Sequence, residues 1–115
     1  MHFETNQIYH VYNRGNNKQA IFFTEANYTY FLNKIKTEWK KYCDILCYCL
    51  MPNHFHIMLI TTKEGCENII LGGKDTHMQN LSKIIGKTLS SYTLAINNQN
   101  KTSGTLFQKK TKANY

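Results

Sequence analysis

The chain has 115 residues, enough for one domain with one core. Its apolar content of 42% excludes wholesale disorder, and no apolar run reaches the length of a membrane span. Fourteen Lys and Arg oppose seven Asp and Glu, a formal charge of +7. From Thr76 onward the chain carries Lys83, Lys87, Lys101, Lys109, Lys110 and Lys112 and no acidic residue. That asymmetry favours a polyanionic partner, of which nucleic acid is the commonest.

Gln7 to Asn13 reads as a first strand, rich in Ile8, Tyr9, Val11 and Tyr12. Arg14-Gly15-Asn16-Asn17 is a turn, because Gly and Asn tolerate left-handed dihedrals. Thr24 is an N-cap, and Tyr28, Phe31, Leu32, Ile35 and Trp39 follow at helical spacing as a core stripe. Asp44 to Leu50 suits a buried second strand. Met51-Pro52-Asn53 then reverses the chain, since proline donates nothing to a sheet ladder.

His54 to Ile60 alternates strictly. Phe55, Ile57 and Leu59 point one way, and His54, His56, Met58 and Ile60 the other. Thr61 to Asp75 reads as a loop whose Ile69-Ile70-Leu71 patch tucks against the domain. A second helix runs from about Met78 to Ile96, with Leu81, Ile85, Thr88, Leu89, Tyr92 and Ile96 as its stripe. Thr105 to Gln108 reads as a fourth strand, followed by a basic tail. The order β-α-β-β-α-β describes a ferredoxin-like α+β fold, an antiparallel sheet with both helices on one face, in a single domain spanning 1–115.

With both helices on the side of Phe55, His54 and His56 stand together on the open face. Two imidazoles about 7 Å apart along a strand can converge on one divalent ion. Cys43, Cys47 and Cys49 share a face by simple alternation; with Cys66, they read as reduced, buried thiols in a cytosolic protein, a zinc site being the alternative. The polar, acidic N-terminus does not suit a signal peptide.

The string Leu50-Met51-Pro52-Asn53-His54-Phe55-His56-Ile57-Met58-Leu59 resembles the HUH signature of single-tyrosine transposases of the insertion-sequence-200/605 type, closest to their REP-associated branch. Tyr9-His10-Val11-Tyr12-Asn13-Arg14-Gly15-Asn16-Asn17 is similar to that family's first strand and turn. Ile21-Phe22-Phe23 is similar to the segment before its first helix, and Ser103 to Lys109 to its last strand.

The resemblance implies a DNA strand transferase acting on single-stranded or hairpin DNA, with His54 and His56 holding Mg or Mn. A tyrosine nucleophile forms a 5′-phosphotyrosine link, and the protein works as a homodimer. Asn13, Arg14, Lys109, Lys110 and Lys112 are expected at the DNA, because the first turn and the basic tail flank the proposed site. The family's nucleophile sits on a helix after the last strand, and by that pattern the chain reads as truncated before this helix. Tyr115 falls too close to Gln108 to match it and is a weak nucleophile candidate on a fraying tail. The alternative is a non-catalytic DNA-binding remnant of that family, and a further one is an unrelated metal- or RNA-binding ferredoxin-like domain.

Overall fold

The computed structural model describes residues 1–115. Six strands and three helices follow one another as β1 (Ile8–Arg14), α1 (Glu25–Glu38), β2 (Cys43–Met51), β3 (His54–Thr61), α2 (Lys63–Cys66), β4 (Asn68–Leu71), β5 (Lys74–Gln79), α3 (Asn80–Asn100) and β6 (Lys112–Asn114), with a short 3-10 turn at Asn16–Lys18. The main sheet has the order β2-β3-β1-β6, and all its pairings are antiparallel. This is the ferredoxin-like arrangement, with β4 and β5 added as a separate two-stranded hairpin. No helix is long and apolar enough to cross a membrane.

Helices α1 and α3 cover one face of the sheet. Phe31, Ile35 and Trp39 from α1 meet Leu81, Ile85, Leu89, Tyr92 and Ile96 from α3 over Val11, Phe55, Ile57 and Leu59. Tyr28 and Leu32 pack at the edge of that core. Helix α1 starts at Thr24, whose hydroxyl accepts the Asn27 N–H while the Asn27 side chain accepts the Thr24 N–H. That reciprocal cap satisfies two donors a helix start otherwise leaves open.

Buried polar groups are paired. The Trp39 indole donates to Thr88 Oγ1 at 3.0 Å, Thr88 donates to Glu38 Oε1 at 2.6 Å, and Lys34 closes the chain on Glu38 at 2.8 Å. Tyr92 is core, and its hydroxyl donates to the Ile21 carbonyl at 2.7 Å.

Four readings of the sequence are corrected. Residues 61–75 are not a loop: they hold α2 and most of the β4–β5 hairpin, in which Ile70 and Leu71 are exposed rather than tucked away. The second long helix runs to Asn100, about one turn past Ile96.

Thr105–Gln108 is not the edge strand. Adjacent Leu106 and Phe107 are both buried, which the alternation of a strand with one covered face does not provide, and only Phe107 bridges to Gly15. The paired edge is Lys112–Asn114, inside the segment read as a fraying tail.

Finally, a bulge at Leu46 breaks the parity of β2. Cys43 opposes Thr61 and is buried, whereas Cys47 and Cys49 oppose Met58 and His56 and are exposed on the open face.

Candidate functional site

The open face is laid out by register. His54 lies opposite Arg14, and His56 lies between Tyr12 and Cys49. Met58 lies between His10 and Cys47, while Lys112 faces Tyr12 across the other edge of β1. Burial along β3 alternates as the sequence predicts, with Phe55, Ile57 and Leu59 fully covered and both histidines half-buried. The covered residues anchor the strand, and its rigidity fixes where the imidazoles stand.

The His54 and His56 rings are 5.1 Å apart and nearly perpendicular, at 83°. Each has its Nδ1 engaged: His54 with Asn53 Oδ1 at 2.7 Å, and His56 with His10 Nε2 at 2.7 Å. Nε2 of each ring is left without a hydrogen-bond partner. Burial, with the neighbouring His10 and His54, pushes the His56 imidazole below the ordinary histidine range. That shift favours the neutral ring, the form that ligates a metal. No group of three or more His, Cys, Asp or Glu side chains is placed to hold one ion. A divalent ion held by this pair would have to take its other ligands from water or phosphate oxygens.

The turn that presents His54 is tied down from outside the sheet. The Pro52 carbonyl accepts the N–H groups of Ile21 and Phe22, at 2.8 and 3.1 Å, and the Asn53 carbonyl accepts the Gly15 N–H at 2.9 Å. Gly15 is required for room, since a Cβ there would collide with the Gln19 carbonyl, and its own φ is −61°. The left-handed dihedrals of this turn fall on Asn17 and Lys18, with φ of 55° and 60°. For a lysine that conformation is uncommon. Here it accompanies placement of Lys18 on the rim of a cleft of roughly 450 Å³, lined also by Tyr12, Arg14, His54, His56, Lys110 and Lys112.

Of the residues expected at the site, His54, His56, Arg14, Lys110 and Lys112 come together in this cleft. Asn13 lines it but is buried, and its side chain is spent inside the chain. It donates to the Gln108 carbonyl and the Thr111 hydroxyl and accepts the Arg14 N–H, so it holds the basic tail against β1. Lys109 is turned aside, into a groove with Gly86, Ser90 and Thr93 of α3.

Tyr115 is not at the histidines. It follows Asn114, which pairs with His10, packs edge-on against buried Tyr9 at 5.6 Å, and donates to Gln7 Oε1. Beside Tyr9 it falls on the opposite face of the sheet from His54, toward the far end of β1, with most of its own surface exposed. The tyrosine lining the cleft is Tyr12, whose hydroxyl accepts from Asn114 Nδ2 at 3.1 Å.

Sequence reasoning missed His10, Tyr12, Lys18 and Asn53. For His10 and Tyr12 the signal was present: alternation along β1 puts both on the face opposite Val11. For Lys18, nothing in a single sequence announces a left-handed lysine.

No protein-family model and no curated protein matches the sequence. Two solved structures do match in three dimensions. A REP-associated tyrosine transposase bound to a REP hairpin superposes with a TM-score of 0.63 at 12% identity, over 98% of this chain and 58% of that one. A protein of Deinococcus radiodurans R1 named as a transposase candidate superposes with a TM-score of 0.64, also at 12% identity, over 98% and 81% of the two chains. The chain thus spans 58% of the length of the first structure. At that identity the likeness is one of backbone architecture, and this chain has the fold of the REP-associated tyrosine transposase.

Proposed function

We propose that the chain binds single-stranded or hairpin DNA as the DNA-handling core of a transposase-type strand transferase, with a backbone phosphate seated between His54, His56 and the surrounding cations. The observation that carries this reading is the convergence of two Nε2 atoms without partners and four exposed cations, Arg14, Lys18, Lys110 and Lys112, in one cleft on a rigid sheet. Its support from outside the chain is the fold shared with a transposase whose structure was solved on a DNA hairpin.

His54 and His56 would hold a divalent ion, Mg or Mn, through Nε2. Bound there, it would supply charge stabilisation to the phosphoryl oxygens. The chain's own contributions are distinct. Arg14 and the lysines neutralise and orient the phosphate backbone, and Asn53 fixes the His54 ring by accepting its Nδ1 proton. Tyr12 walls the cleft beside His56, with ring centroids 5.7 Å apart.

Strand cleavage needs an oxygen held about 3–3.5 Å from phosphorus. Tyr115, on the other side of the sheet, does not meet that need from its own subunit. The second reading, DNA binding without covalent chemistry by these 115 residues, is favoured by that placement.

The test is incubation with labelled hairpin DNA and Mn²⁺, read on native and denaturing gels. The expected result is a Mn²⁺-dependent native complex, lost in the double variant His54→Ala/His56→Ala, and no adduct dependent on Tyr115. Absence of any single-strand complex overturns the DNA reading. An adduct abolished by Tyr115→Phe restores Tyr115 as nucleophile, and one abolished by Tyr12→Phe assigns the reaction to the cleft tyrosine.

A further inference from the structure

His10 is the third imidazole of the open face, 46 residues from His56 in sequence and bonded to it in space. Its ring lies nearly parallel to that of His56, tilted by 22° with centroids 4.9 Å apart. Nε2 of one ring and Nδ1 of the other are only 2.7 Å apart. Rings stacked face to face would not bring two nitrogens so close, so the two imidazoles meet edge to edge through a hydrogen bond. Tyr12 stacks on His10, 4.5 Å away with a tilt of 25°, while its ring is 5.7 Å from that of His56, and so limits where the His10 ring can turn.

A neutral imidazole has one N–H and one lone pair. Between His10 and His56 one ring donates and the other accepts, and the choice decides what His56 can do. If His56 accepts at Nδ1, its proton sits on Nε2 and that nitrogen cannot ligate. If His56 donates from Nδ1, Nε2 carries the lone pair into the cleft. His54 has the same problem, and there Nδ1 meets the side-chain amide oxygen Oδ1 of Asn53, an acceptor.

We infer that His10 is the positioning residue of His56: its Nε2 accepts the His56 Nδ1 proton, locks the ring's tautomer and orientation, and leaves the His56 Nε2 lone pair facing the cleft. His10 does for His56 what Asn53 does for His54. Such partners, one step behind a ligand, set its basicity and direction. The role rests on the reading of His54 and His56 as a ligand pair.

Two variants separate the hydrogen bond from the packing. His10→Phe keeps a flat ring against Tyr12 but offers no acceptor, while His10→Gln restores a carbonyl oxygen. In the metal-free wild-type protein, long-range ¹H–¹⁵N NMR should show the His56 proton on Nδ1. In His10→Phe it should redistribute between the two nitrogens. By calorimetry, Mn²⁺ affinity should fall about 10–100-fold in His10→Phe, the range typical for losing such a partner, and return most of the way in His10→Gln.

A wild-type His56 protonated on Nε2 overturns the assignment. So does Mn²⁺ binding in His10→Phe within about twofold of wild type, set against the typical loss, while His56→Ala abolishes it. Wild-type protein that binds no Mn²⁺, or a His54→Ala/His56→Ala variant that binds it undiminished, overturns the ligand reading itself, and this role with it.

Discussion

The salt dependence of DNA binding tests the cleft quantitatively. Arg14, Lys18, Lys110 and Lys112 surround the histidine pair. Each phosphate neutralised on a single strand contributes about −0.7 to the slope of log affinity against log salt. Four such contacts give about −2.8, so raising salt from about 50 to 200 mM should weaken binding about 50-fold. Replacing Lys110 and Lys112 with Gln should leave a slope of about −1.4 and a loss of only about 7-fold over the same range.

Lys109 is the internal control. It immediately precedes Lys110 in sequence, yet lines the groove against α3 instead, so Lys109→Gln should leave the slope near its wild-type value. Fluorescence anisotropy with labelled single-stranded DNA across a salt series gives all three numbers. A slope unchanged by the Lys110 and Lys112 substitutions, or lowered as much by Lys109→Gln, refutes the placement of DNA in this cleft.

Two further outcomes follow from the folded chain. Burial, aided by Asp44, pushes the Cys43 thiol up to about 12, whereas Cys47 and Cys49 are exposed. A thiol reagent at pH 8 should therefore modify Cys47 and Cys49 in the native protein and reach Cys43 only on unfolding, with mass spectrometry reading the sites. Because unfolding lowers the Cys43 range, this residue should also make the protein less stable as pH rises above the ordinary thiol range, and not as it falls. Thr88→Val is nearly isosteric but leaves the buried Trp39 indole N–H unpaired. It should cost about 1–3 kcal/mol in denaturant unfolding, and a loss within error of zero would show that the Trp39–Thr88–Glu38 chain contributes nothing net.

What the sequence revealed depended on how local the cause was. The His54 and His56 face was legible because alternation along one strand decides it, and Thr24 because a cap acts over three residues. The cysteines were misplaced because one bulged residue, Leu46, reverses parity for everything between it and the Pro52 turn, and no residue there marks a bulge. The edge strand was misplaced because Lys112-Ala113-Asn114 has no strand signature of its own. Its pairing with β1 is prepared by Asn13, which reaches Gln108 and Thr111 from the far end of the chain.

The same division runs through the site. The regular β1–β3 pair supplies His10, Tyr12, His54 and His56, so the imidazole geometry is as rigid as the core beneath it. Among the cations, Arg14 ends β1 and Lys112 opens β6, whereas Lys18 and Lys110 come from the left-handed turn and the irregular stretch before β6, where hydrogen bonds hold the chain. Substitutions in the tail should therefore change DNA affinity without changing metal affinity. Loosening the tail through Asn13→Ala should weaken DNA binding while leaving Mn²⁺ binding intact, because the bonds it removes lead to Gln108, Thr111 and the Arg14 N–H and none leads to an imidazole.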